Sequence, residues 1–154
     1  MERINRPEDD FRETLTLDQI NEICTANGLP APAKIEPERR GNEKVIYHLD
    51  DTYSLQFMAT QEDVDDLLLL GHFDEYPSPA VLAWCENDAS VETSVLITEK
   101  CTGDRLDVLW NRTGDAERLQ LLEDFGSAMA RYHAIDPQRV VSTAEAQGLS
   151  HRVT

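Results

Sequence analysis

The chain has 154 residues, the size of one ordinary domain, and 40% of them are apolar, enough to bury a core without disulfides. Against 14 basic residues stand 30 acidic ones, a formal net charge of −16. Such a surface repels nucleic acid and anionic membranes, and no apolar run approaches the roughly 18 to 20 residues of a membrane span.

The N-terminus, MERINRPEDD, lacks an apolar signal segment, so a soluble cytoplasmic protein is expected. Only Lys34, Lys44 and Lys100 are lysines. An acid-rich, lysine-poor surface suits a cytosol of very high salt, where screening removes most of the self-repulsion, and a halophilic protein is expected. The acids are spread along the whole chain, which argues against an acidic tail that mimics DNA or grips a basic partner. Three cysteines (Cys24, Cys85, Cys101) and four histidines (His48, His72, His133, His151) are scattered without metal-ligand spacing, indicating neither a disulfide framework nor a zinc site.

In chain order, residues 1–14 form a polar arm with only Ile4 and Phe11 to bury. A helix follows: Thr16 and Gln19 make a capping box, Leu17, Ile20, Ile23 and Cys24 line one face, and Gly28 and Pro30 end it. Three strands are expected next, a weak one over 34–38, then Val45–Leu49, then 53–58 across the turn Asp50-Asp51-Thr52. In the last of these Tyr53, Leu55 and Phe57 fall on one face and Ser54, Gln56 and Met58 on the other. Thr60 and Asp63 open a second helix with Val64, Leu67 and Leu68 as its buried stripe, and Gly71 ends it. Acids Glu62, Asp63, Asp65 and Asp66 crowd its first turns, where the helix dipole favours them. Strands over 80–85 and 94–99 come next, separated by a polar turn. Asp115 is expected to cap a long helix to about Ala134, with Leu119, Leu122, Phe125, Met129 and Tyr132 at helical spacing. Residues 139–154 read as a tail. The fold class is α+β, a five-stranded antiparallel sheet carrying a helix.

Four stretches, spanning about residues 33–137, resemble the small lobe of the aminoglycoside phosphotransferase and choline kinase-like family, relatives of the protein kinases. EKVIYHLDDTYSLQFM is similar to the family's second and third strands, and YPSPAVLAW to the "PxPxVL" that leads into the fourth. SVLITEKCTGDRL is similar to the fifth strand and hinge, and MARYHAID to the "LAxLHAID" that ends the first long helix of the large lobe. The resemblance implies a kinase-like small lobe over 15–112 and the first long helix of the large lobe over 113–138.

It also assigns candidate cofactor-binding residues. Gln56 takes the third-strand position where the family normally has a lysine that bridges nucleotide phosphates and an acid on the next helix, here one of Glu62, Asp63 or Asp66. A glutamine can hydrogen-bond a phosphate oxygen but lacks the charge-assisted interaction, roughly twice as strong as a neutral one. A solvated polar residue on a half-exposed sheet is the other reading. Gly41 and Asn42 lie in the turn RRGNE, where the family covers the phosphates; the adjacent Arg39 and Arg40 either meet phosphate or mark a surface turn. The carbonyl of Glu99 and the N–H of Cys101 take the hinge positions that hold adenine, and Gly103 eases the turn beyond. His133, on the apolar side of the long helix, reads as a packing residue.

Phosphoryl transfer in the family needs an aspartate to orient the acceptor hydroxyl, and an asparagine and a second aspartate for magnesium, all after the long helix. Here no aspartate follows Asp136, and His151 is followed by Arg152-Val153-Thr154 where the family has "HGD". The expectation is a truncated relative without catalytic residues, inactive alone, binding ATP weakly and lacking ligands for magnesium. As alternatives it is a protein-interaction module, or half of a split kinase. Its partner would be a second copy or a separately encoded large lobe, and neither nucleic acid nor membrane.

Overall fold

The structure is a computed structural model that describes residues 16–38, 45–149 and 151. Its elements are α1 (Leu17–Ala26), β1 (Ile35–Pro37), β2 (Val45–Leu49), β3 (Tyr53–Phe57), α2 (Gln61–Leu70), β4 (Val81–Asp88), β5 (Thr93–Glu99), α3 (Leu106–Arg112), α4 (Asp115–His133) and α5 (Pro137–Ala146). They form two compact units. The first holds the described residues up to Val64 together with Ala80–Lys100, and the second holds Asp65–Pro79 and the described residues from Cys101 onward.

The first unit is built on a five-stranded antiparallel sheet of order β1-β2-β3-β5-β4. Strands β2 and β3 join through a turn in which Thr52 N–H donates to the Leu49 carbonyl at 3.0 Å. Asp50 and Asp51 there have φ of 51° and 56°, both left-handed, a conformation that aspartate tolerates better than most residues with a side chain. The Asp50 carboxylate also accepts from the N–H groups of Ala33 (3.0 Å) and Lys34 (2.6 Å), fixing where β1 enters the sheet.

Alternation does the rest. Val45, Tyr47 and Leu49 of β2, Leu55 and Phe57 of β3, and Val95 and Ile97 of β5 point to one face and are buried with Ile20, Ile23 and Cys24 of α1. Helix α1 is held by the expected capping box: Thr16 Oγ1 accepts from Gln19 N–H at 3.3 Å, and Gln19 Oε1 accepts from Thr16 N–H at 2.9 Å. Gly28, at φ 74°, closes it, with Leu29 N–H donating to the Cys24 carbonyl at 2.9 Å. Burial raises the Cys24 thiol pKa, and the Asp50 carboxylate adds to the shift, so this cysteine is an inert packing residue.

The second unit is helical. Leu69, Phe73, Ala144 and Leu149 form its core with Ile135 and Val140 against them. Arg139 lies over the Phe73 ring at 4.9 Å and pairs with Glu75 at 2.6 Å. The residues expected as a tail therefore need correcting: α5 occupies Pro137–Ala146, with Asp136 accepting from Gln138 N–H at 2.9 Å and proline at the first helical position. The Asp-Pro start signal was there to be read, but too few apolar residues follow it to show a period. Helix α3 was not expected either. Helix α4 begins one residue earlier than expected, with Gly114 as its N-cap and Asp115 inside the first turn. In the sheet unit, β4 runs on to Asp88 through two register shifts against β5.

Phe57→Ala is expected to destabilise the sheet unit by about 3–5 kcal/mol, read by urea unfolding; a loss under about 1 kcal/mol would mean that the α1 face is not a packed core. An acid test concerns Asp51. A 2.6 Å hydrogen bond from Lys100 Nζ, and Lys34 Nζ at 3.8 Å, hold its carboxyl below the usual carboxylate range. Because the folded pKa is the lower one, the contribution is present at neutral pH and is lost as pH falls through the folded value. Lys100→Ala should therefore flatten the fall in stability below about pH 4, by a small amount because the pair is solvent-exposed. An unchanged slope would contradict this.

Candidate functional site

On β3, Gln56 stands between Ile46 of β2 and Leu96 of β5. By alternation the face away from α1 carries Ile46 and His48 of β2, Ser54 and Gln56 of β3, and Leu96 and Thr98 of β5. It is not an open solvent face: Leu96 is 1% exposed, Thr98 8%, and Gln56 is half-buried. Trp84, paired with Leu96, donates its indole N–H to Gln61 at the start of α2 at 3.1 Å.

A polar relay crosses this face. His48 Nδ1 lies 3.3 Å from Ser54 Oγ, and His48 Nε2 lies 3.4 Å from Glu38 Oε2. A carboxylate only accepts, so the neutral ring carries its proton on Nε2 and leaves Nδ1 to accept from the serine hydroxyl. Sequence reading did not single out this relay. The signal was present, because a hairpin that pairs Leu49 with Tyr53 necessarily sets His48 opposite Ser54.

Glu99 ends β5 opposite Tyr53, three residues along β3 from Gln56, a separation of about 10 Å at roughly 3.3 Å per residue. Its N–H donates to the Ala80 carbonyl at 2.9 Å, and Lys100 N–H to the Thr52 carbonyl at 2.8 Å, so the end of β5 is tied on both sides. Cys101 is exposed and belongs to the helical unit. Gly103 has φ 112°, a conformation that requires glycine. Gly41 and Asn42, with Arg39 and Arg40, lie outside the described residues. The structure thus brings Gln56 and Glu99 onto one sheet.

The acids of α2 sort themselves by structure. Asp63 is committed to the helix start, its Oδ2 accepting from Thr60 N–H at 2.7 Å and from the Thr60 hydroxyl at 2.8 Å. Glu62 and Asp66 are exposed. The buried member of the run is Asp65, 4% exposed, whose Oδ2 lies 2.9 Å from His151 Nε2. It was not among the three acids singled out from sequence. A run of four acids in five residues looks uniformly solvated, and only packing shows which one turns inward.

Within the helical unit a groove of about 560 Å³ is walled by Leu69, Phe73, Ile135 and Val140, with Asp66 and His133 also lining it. Tyr132 is packed on Tyr76, ring centroids 5.0 Å apart, and His133 meets the Tyr132 ring edge at 5.4 Å. Among the described residues no group of three or more His, Cys, Asp or Glu side chains could hold a metal ion, and no helix is long and apolar enough to cross a membrane. No family model, curated protein or solved structure matches the chain.

The relay has a direct spectroscopic consequence. Long-range proton–nitrogen NMR is expected to show neutral His48 protonated on Nε2, and Ser54→Ala should shift its Nδ1 resonance without changing the tautomer. A ring protonated on Nδ1 would contradict the arrangement.

Proposed function

We propose that the sheet unit is the nucleotide-side wall of a small-molecule kinase cleft, related to the aminoglycoside phosphotransferases and choline kinases, with weak affinity for ATP and no phosphotransfer activity of its own. The observation that carries this reading is the register: a long polar side chain, Gln56, stands on a central strand, three residues along from the strand end at Glu99, on a half-covered face opposite the packed core. A separation of about 10 Å suits a nucleotide whose base meets the main chain at the strand end while its phosphates reach the middle of β3.

The chemistry of the two ends then explains weak binding. Main-chain groups at the strand end can hold a base whatever side chains stand there. The phosphate end has a neutral amide where neutralisation needs a cation, on a chain of net charge −16. Phosphoryl transfer is almost wholly positioning plus charge stabilisation, and the neutral amide of Gln56 supplies hydrogen bonds without the charge.

Gln56→Lys is expected to tighten binding of magnesium-ATP about five- to tenfold, the gain of a charge-assisted hydrogen bond over a neutral one, measured by calorimetry in high salt. Purified protein should transfer no radiolabelled phosphate from ATP to aminoglycosides, choline-like alcohols or sugars. Magnesium-dependent transfer that survives stringent purification, or an ATP affinity indifferent to the lysine, would overturn the reading.

A further inference from the structure

Helix α4 has 19 residues and none of them is buried. Leu119 is 63% exposed, Leu122 48% and Phe125 51%, so an apolar seam runs along it in solvent. An amphipathic helix of this length draws most of its stability from packing of its apolar face, and here Leu119, Leu122 and Phe125 are left out of that packing.

We propose that the seam is covered by the α4 helix of a second copy of this chain, packed antiparallel about a two-fold axis that passes between Glu123 and Asp124. The sequence of α4 is complementary to itself in that direction and in no other. Leu122 and Phe125 are spaced as the a and d positions of a heptad, and antiparallel pairing sets each Leu122 against the other copy's Phe125. On the flanks of that layer Leu119 comes to lie beside the second Gly126, and Leu121 beside the second Ala128. Large side chains of the N-terminal half therefore meet small ones of the C-terminal half, four times over by symmetry.

Two further observations agree. A glycine inside a helix is unfavourable, yet a Cβ placed on Gly126 would meet nothing within 4 Å in its own chain. Close approach of another helix gives that missing side chain a reason. The charges fit the same direction: Asp115 and Glu117 occupy the first turn of α4, and Arg131 and His133 the last. Antiparallel pairing places acids beside bases at both ends and opposes the helix dipoles, whereas parallel pairing would set Asp115 against its own copy. Arg118, the charged residue one heptad before Phe125, is drawn off the seam, donating to the Trp110 carbonyl at 2.9 Å with its guanidinium 5.5 Å over the Trp110 ring.

A charge of −16 on each copy opposes association at low ionic strength. The test is sedimentation equilibrium at about 100 µM protein, in dilute buffer and in about 2 M KCl, where the Debye length is only a few Å. A dimer that strengthens with salt is expected. Phe125→Asp should leave a monomer of unchanged circular dichroism. Gly126→Leu should raise helix content, because leucine is a better helix former, while weakening the dimer about tenfold or more by filling the space that Leu119 of the other copy needs. A wild-type monomer in both salts overturns the proposal, and so does a dimer that survives Gly126→Leu. Neither substitution lies in the sheet unit, so nucleotide binding is read independently of this outcome.

Discussion

Strand β3 lies between β2 and β5, and its two faces meet different surroundings. On one side Leu55 and Phe57 are sealed against α1. That burial fixes the register of the whole sheet, because a slip of one residue would send both into the opposite environment and bring Ser54 and Gln56 into the core. The same constraint that stabilises the unit therefore dictates where its polar residues go. Gln56 faces away from α1 because its neighbours cannot, and His48 meets Ser54 because Leu49 must pair with Tyr53. The candidate site is a consequence of the core.

Much of this could be read from the residues. The period of two in β3, the cap at Thr16, the Asp50-Asp51 turn and the Thr60 helix start are all short-range signals, each complete within a few positions, and they set the sheet unit. The α5 helix and the inward turn of Asp65 were not legible for the opposite reason. Val140 and Ala144 become core residues only through Leu69 and Phe73, about seventy positions earlier in the chain. Asp65 is set apart from its exposed acidic neighbours Glu62 and Asp66 by its burial and by His151, far along the chain. Residues defined by such distant partners show no hydrophobic period of their own, and the Asp136-Pro137 start signal alone does not establish a helix.

The charge of the chain connects the two proposals. Thirty acids against 14 basic residues set up a long-range repulsion between copies in dilute salt. They also disfavour a triphosphate at Gln56, where a lysine would have offset them locally. High ionic strength relaxes both effects, since each is a sum of screened repulsions, but it leaves the size complementarity of Leu119 and Gly126 untouched. Association through α4 is thus expected to be selected by shape and permitted by salt, and nucleotide affinity to be limited by one missing cation.

The central claim is that the β3–β5 face bearing Gln56 is a nucleotide-facing wall. Backbone NMR of the protein titrated with a non-hydrolysable ATP analogue in high salt tests it most directly. The account predicts shifts that saturate at millimolar nucleotide and concentrate on Ser54, Gln56, Thr98 and Glu99, with Ile20 and Ile23 of α1 unmoved. Shifts centred on α1 or on the helical unit, or none at any concentration, would contradict it.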